Sequence, residues 1–190
     1  MEPVDDHARC PDCGRLDDVG KLGQLFIITG ASGSGKSAIS TPLARSLAGT
    51  AVTIDTDLLL DSATALAGDG RAFSWPAFRD AWLAVAHAIS PSGTAVVLLG
   101  PFIPDHLEGL PARRWIGEIR FLLLDCPDQV RRARLESRPP WRSREFDAQL
   151  AFAAWLREHI DEHVDTSKGS PQDAATAVAR WVRGHWAPER

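Results

Sequence analysis

The sequence predicts an α/β fold, a three-layer sandwich in which a parallel sheet lies between helices, and three observations predict it. Short apolar runs without polar alternation recur along the chain, and helical patterns separate them. Strands of that kind are covered on both faces, and strands that alternate with helices pair in parallel. The chain has 190 residues, 44% hydrophobic and 24% charged, which is enough for one core and too apolar for a disordered tail. With 15 Gly and 3 Cys it is neither a collagen-like fibre nor a disulfide-built miniprotein.

Each element follows in chain order. Residues 1–23 are polar, carry Asp, Gly and Pro, and show neither strand nor helix period, so an irregular extension is expected. The main domain is expected over 24–190. Residues 25–29 (Leu-Phe-Ile-Ile-Thr) read as the first strand, 38–47 as a helix and 51–54 as the second strand. A helix over 75–89, a strand over 95–99 and a strand over 120–124 come next. Three helices complete the chain, from about 127 to 136, 144 to 159 and 171 to 186, with no internal repeat.

Charge and ends set the expected partners. Against 25 Asp and Glu stand 21 Lys and Arg, a net charge of -4, and the pI is about 5.8. That balance offers no general attraction to duplex nucleic acid or an anionic membrane. No apolar stretch approaches the roughly 20 residues that cross a bilayer, and the start, Met1-Glu2-Pro3-Val4-Asp5-Asp6, lacks the parts of a signal peptide. A cytoplasmic protein, monomer or homodimer, is expected.

The most specific motif is Gly30-Ala31-Ser32-Gly33-Ser34-Gly35-Lys36-Ser37, which fits G-x-x-x-x-G-K-[ST] between the first strand and the first helix. Glycines let such a loop turn its N–H groups inward around phosphate oxygens, where a Cβ would obstruct. Lys36 supplies a point charge for the β- and γ-phosphates and Ser37 a hydroxyl for Mg²⁺, while the helix start points its positive end at the same anions. Lysine is otherwise scarce: only Lys21, Lys36 and Lys168 occur among the 21 basic side chains.

With this loop the chain resembles the small P-loop phosphotransferases: shikimate and gluconate kinases, chloramphenicol phosphotransferase and the tunicamycin-resistance proteins. The resemblance spans about residues 24–186 and implies a five-stranded parallel sheet of the P-loop kinase type, with ATP and Mg²⁺ as cofactors. Thr53-Ile54-Asp55-Thr56-Asp57 is similar to the D-[ST]-D of shikimate kinases and the V-D-S of chloramphenicol phosphotransferase. The resemblance makes Asp55 the magnesium-side carboxylate and Asp57 the carboxylate that contacts or deprotonates the acceptor. Phosphoryl transfer independently asks for such a group, because it needs one residue to orient the attacking hydroxyl. The alternative for either Asp is to cap the helix that follows.

The third strand ends in Leu98-Leu99-Gly100-Pro101, with no acidic residue where motor and switch ATPases carry one. Shikimate kinases likewise have glycine there, and Gly100 would let the acceptor approach the backbone; the alternative is a plain turn. Arg131, Arg132, Arg134, Arg138, Arg142 and Arg144 crowd one stretch, and Arg138-Pro139 resembles the R-P of the shikimate kinase lid. A lid near 131–144 follows, with Arg138 on the transferring phosphoryl and Arg134 on ATP, roles that suit planar guanidinium groups. The alternative is a solvated helix face. Val164-Asp165-Thr166-Ser167 through Pro171 resembles the segment that flanks adenine in these kinases, placing Pro171 beside the base; a turn with Ser170 as N-cap is the alternative.

The acceptor region is expected near Arg71, Phe73, Trp75, Phe78, Arg79 and Trp82, with Arg79 as acceptor ligand. Trp75, Phe78 and Trp82 share a helix face, which serves either as core or as an aromatic wall. Cys10-Pro11-Asp12-Cys13-Gly14 has the form of half a zinc ribbon, so Cys10 and Cys13 are candidate Zn²⁺ ligands, with a redox pair or a vestigial turn as alternatives. Together these readings describe an ATP- and Mg²⁺-dependent kinase acting on a hydroxyl of a metabolite, nucleoside or antibiotic. The rivals are a nucleoside or nucleotide kinase and an ATP-binding protein that sequesters a toxic ligand without turnover.

Overall fold

The computed structural model describes residues 2–4, 7–9, 12–18, 22–60, 73–89, 94–139 and 145–186. Three short strands open the chain: β1 (Glu2–Val4), β2 (His7–Arg9) and β3 (Leu16–Asp18), paired antiparallel in that order. The irregular extension expected over 1–23 is therefore corrected to a small meander. Strands of three residues are too short to display a period in the sequence.

The main sheet has five parallel strands. They are β4 (Leu22–Thr29), β5 (Ala51–Asp55), β6 (Ala95–Leu99), β7 (Ile116–Asp125) and β8 (His163–Asp165), in the order β5-β6-β4-β7-β8. β4 is central, pairing Leu25 with Val96 on one side and with Ile119 on the other. The apolar runs mark only the inner parts of β4 and β7. Pairing of Leu22 with Ile116 carries both strands further toward their amino ends.

Among the described residues, five α-helices connect and cover the sheet: α1 (Lys36–Ser46), α2 (Trp75–Ile89), α3 (Asp128–Glu136), α4 (Phe146–His159) and α5 (Pro171–His185). Successive strand residues point to opposite faces, and here both faces are apolar. Phe26, Ile28, Val97 and Leu99 pack with Ile39 and Leu43 of α1 and Val178 and Val182 of α5. Leu25, Ile27, Val96 and Leu98 pack on the other face with Trp82, Leu83 and Ala86 of α2. A third group joins Leu123 to Ala153 and Leu156 of α4. Burying each such Leu, Ile or Phe contributes about 1.5–3 kcal/mol, which fixes the three layers.

Because the strands are parallel, their carboxyl ends share one edge, where an open α/β sheet binds its ligands. Two contacts lock that edge. The Thr29 hydroxyl donates to Phe102 O at 2.6 Å, and Gly100 N–H donates to Ile28 O at 3.2 Å. No helix among the described residues is long and apolar enough to cross a membrane.

Candidate active site

Residues 30–35 leave β4 and turn directly into α1. Gly33 and Gly35 have φ of 83° and 101°, left-handed values that a side chain adopts only with strain. Space is also short at Gly30, where a Cβ would come 2.6 Å from both Leu124 O and Ser34 Oγ.

The loop is held from outside by its carbonyls. Lys36 Nζ donates to Gly30 O and, at 3.4 Å, to Ala31 O, which also accepts from Ser34 N–H at 3.1 Å. Arg131 Nη1 donates to Ser32 O at 2.9 Å, and Arg134 Nη1 to Gly33 O at 3.1 Å. The Thr166 hydroxyl lies 2.6 Å from Ser34 O and 3.0 Å from Asp125 O, and it accepts from Arg134 Nη1 at 2.9 Å. Carbonyls 32–34 are turned to Arg131, Arg134 and Thr166, which suits a loop that offers amides to an anion, although the Ser32 and Ser34 amides already donate to Gln149 Oε1 and Ala31 O. Ser34 Oγ is buried and has no partner among the described residues, an orphan that a phosphate oxygen would satisfy.

The outer donors are themselves anchored. Arg131 has no exposed surface, and its Nη2 meets Asp125 Oδ1 at 2.5 Å. Arg157 of α4 donates to Asp125 Oδ2 at 2.6 Å and to Asp128 Oδ1 at 2.7 Å; these bonds raise its pKa further above the usual arginine range. Arg134 Nη2 donates to Thr166 O at 2.6 Å.

A cavity of about 430 Å³ opens on the loop. Its walls bring together much of the expected site: Ser32 through Ser37 from the loop, Asp57, Arg134, Arg138 and Pro171. Lys36 is buried there, and burial pushes its ammonium pKa down to about 8, against the opposing pull of Asp57 and Asp55; the charges of Arg131 and Arg138 lower it further. Asp57 is exposed, and its N–H donates to Asp55 Oδ1 at 3.1 Å. Pro171 is the first residue of α5, behind a capping box in which Ser170 and Asp173 bond reciprocally. Lining the cavity and starting a capped helix are therefore properties of the same turn. Hydrogen bonds from Ser170 lower the Asp173 pKa.

Other expected residues lie elsewhere. Gly30 and Ala31 bind Lys36 through their carbonyls and do not line the cavity. Asp55 caps the 3-10 helix over 56–59 and faces a separate groove with Ser40, Thr41 and Arg45. Packing accounts for Gly100: a Cβ there would overlap Thr56 Oγ1 and reach Phe102 Cε2 at 2.5 Å. Arg79 lies on α2 with its guanidinium 5.4 Å from the Trp75 ring centroid, and burial lowers its pKa. The same charge, after burial, holds the His106 pKa down.

The aromatic stripe divides. Trp82 is core and Phe78 packs against the same cluster, whereas Trp75 is 41% exposed. Of the lid stretch, Arg131 and Arg134 lie on α3 as loop braces, and 140–144 lie outside the described residues, as do Arg71 and Cys10. Cys13 is exposed and free, and no group of three or more His, Cys, Asp or Glu is placed to hold a metal among the described residues. The braces Asp125 and Arg157, and Gln149, whose Oε1 accepts from Ser32 N–H at 2.8 Å, carry no local signal in the sequence, and the segment that holds Thr166 gave none of a contact with the loop.

Comparison with known proteins matches this architecture. A sugar kinase from Janibacter sp. HTCC2649 superposes with a TM-score of 0.60 at 20% identity, covering 85% of this chain and 95% of that one. The tunicamycin resistance protein of Deinococcus radiodurans gives 0.60 at 18%, covering 85% and 96%. The APS kinase of Mycobacterium tuberculosis, in complex with AMPPNP and APS, gives 0.54 at 20%, covering 86% and 99%. Identities of this size establish the shared fold, and no curated protein matches by sequence. Residues 23–183 match the chloramphenicol phosphotransferase-like proteins, and the chain belongs to that family.

Proposed function

We propose that the protein is an ATP- and Mg²⁺-dependent phosphotransferase that moves the γ-phosphoryl of ATP to a hydroxyl of a small organic acceptor. The observation that carries this reading is the braced loop. Its carbonyls 32–34 are tied to Arg131, Arg134 and Thr166, its lysine is buried, and Asp57 and Arg138 stand on the same cavity. Lys36 and the loop amides would bind the β- and γ-phosphates, with Arg138 on the phosphoryl in transit. Asp57 would orient the acceptor and take its proton as the new O–P bond forms and the bond to the β-phosphate oxygen breaks, releasing ADP.

Oxygen donors suit the magnesium ion: Ser37 on the cavity wall would hold it, with Asp55, which faces the neighbouring groove and whose charge acts on Lys36, reaching it through water. When bound it neutralises charge on the phosphates. Pro171 would flank the adenine and Arg79 the acceptor, which lies among metabolites, nucleosides and hydroxylated antibiotics.

The test is ADP release from Mg-ATP over a panel of nucleosides, sugar acids, polyols and hydroxylated antibiotics. One acceptor should stimulate release strongly, Lys36→Ala should abolish it, and Asp57→Asn should lower turnover far more than ATP affinity. Wild-type turnover in Lys36→Ala would sink the assignment. Silence across the panel with tight ATP binding would favour a protein that sequesters its ligand.

A further inference from the structure

Helix α4 meets the phosphate loop through Ala153 and Leu156, which share a buried cluster with Ala31, and through one polar side chain. Ser32 N–H donates to Gln149 Oε1 at 2.8 Å, across 117 residues of sequence. Among the described residues it is the only hydrogen bond from a loop amide to a side-chain oxygen; the other side chains on the loop bind its carbonyls. The donor settles the orientation of the amide group. An N–H meets only an oxygen, so Oε1 faces the loop and the two N–H donors of Nε2 face away from Ser32. Gln149 is half-buried, and Nε2 bonds to no described residue.

Ser32 lines the same cavity as Lys36 and Ser37. Gln149 is not itself a wall residue, but an amide whose oxygen is anchored on Ser32 keeps its donor end next to a residue that is. A neutral N–H pair held in place suits phosphoryl oxygens, since hydrogen bonds to charged groups are the stronger class. Resting on the nucleotide reading above, we infer that Gln149 reads the terminal phosphate: Oε1 stays on Ser32 N–H and Nε2 donates to the γ-phosphoryl, so that ATP is distinguished from ADP.

Gln149→Glu separates this role from a structural one. A carboxylate still accepts from Ser32 N–H and keeps the brace, but it replaces the donor with a negative oxygen. Calorimetric titration with a non-hydrolysable ATP analogue and with ADP reads the difference. The variant should lose about tenfold or more in affinity for the analogue, the weight of one hydrogen bond to a charged group, while ADP affinity stays within about threefold. Gln149→Met should shift the ratio in the same direction. Retained ADP binding reports that each variant folds with its loop intact. Equal losses for both nucleotides, or no loss for either, overturn the inference and leave the nucleotide reading standing. A wild-type protein that binds neither nucleotide overturns both.

Discussion

Lys36 carries its charge at a cost that a polyphosphate would remove. In the free loop its Nζ lies on Gly30 O and Ala31 O, and burial brings the ammonium pKa down to about 8. Phosphate oxygens favour the charged form, so the pKa rises in the complex and binding near pH 8 takes up a proton. The sign follows: nucleotide affinity falls as pH rises through about 8, by up to about tenfold per unit, since one proton is linked to binding. Calorimetry in buffers of different ionisation enthalpy should show uptake approaching one proton at pH 8.5. Lys36→Arg, which stays charged throughout, should lose that uptake wherever it still binds nucleotide. A binding enthalpy independent of buffer in the wild-type protein would remove Lys36 from the linkage.

Three elements hold the loop's shape, and they meet at the carboxyl end of β7. Asp125 ends that strand and receives Arg131 from α3 and Arg157 from α4. The two arginines differ, because Arg131 is fully buried whereas Arg157 is one-third exposed and has Asp128 as a second partner. Asp125→Ala strands a buried cation, a loss of about 3–5 kcal/mol. Arg131→Met leaves Asp125 paired with Arg157 and puts an apolar chain into the buried space, so it should cost less. Urea unfolding should rank Asp125→Ala below Arg131→Met in stability, and the reverse order would show that the buried pair is not what holds the loop. The same contacts explain what the sequence disclosed. The strand, loop and α1 were legible because glycine spacing, Lys36 and the apolar run are all local signals. The braces were not, since Arg131 meets Ser32 across 99 residues and Thr166 meets Ser34 across 132. The arginine-rich stretch gave no sign that two of its members, Arg131 and Arg134, bond the loop carbonyls, Arg134 while also lining the cavity. The packing of Thr56 and Phe102 into the space of the Cβ that Gly100 lacks was likewise invisible in the sequence.

Across the whole molecule, the site is assembled against stability. The sheet buries apolar side chains on both faces, yet the fold also buries Lys36 at the mouth of its cavity. Its folded pKa of about 8 lies below the ordinary 10.5. Below about pH 8 both folded and unfolded chains carry the charge, and the full burial cost is present. Between 8 and 10.5 the folded chain sheds the proton that the unfolded chain keeps. The unfolded state then binds more protons, and stability rises with pH over that window. Lys36→Met, of similar length and without charge, removes the cost at every pH. Without nucleotide it should therefore melt higher than the wild type at pH 7, where each 1 kcal/mol is worth about 2–4 °C for a chain of this size. The gap should narrow as pH approaches 10, and saturating Mg-ATP should stabilise the wild type far more than the variant, because a ligand stabilises only the state it binds. A variant that melts lower than the wild type at pH 7 would mean that the bonds from Lys36 to Gly30 O and Ala31 O outweigh the charge they bury.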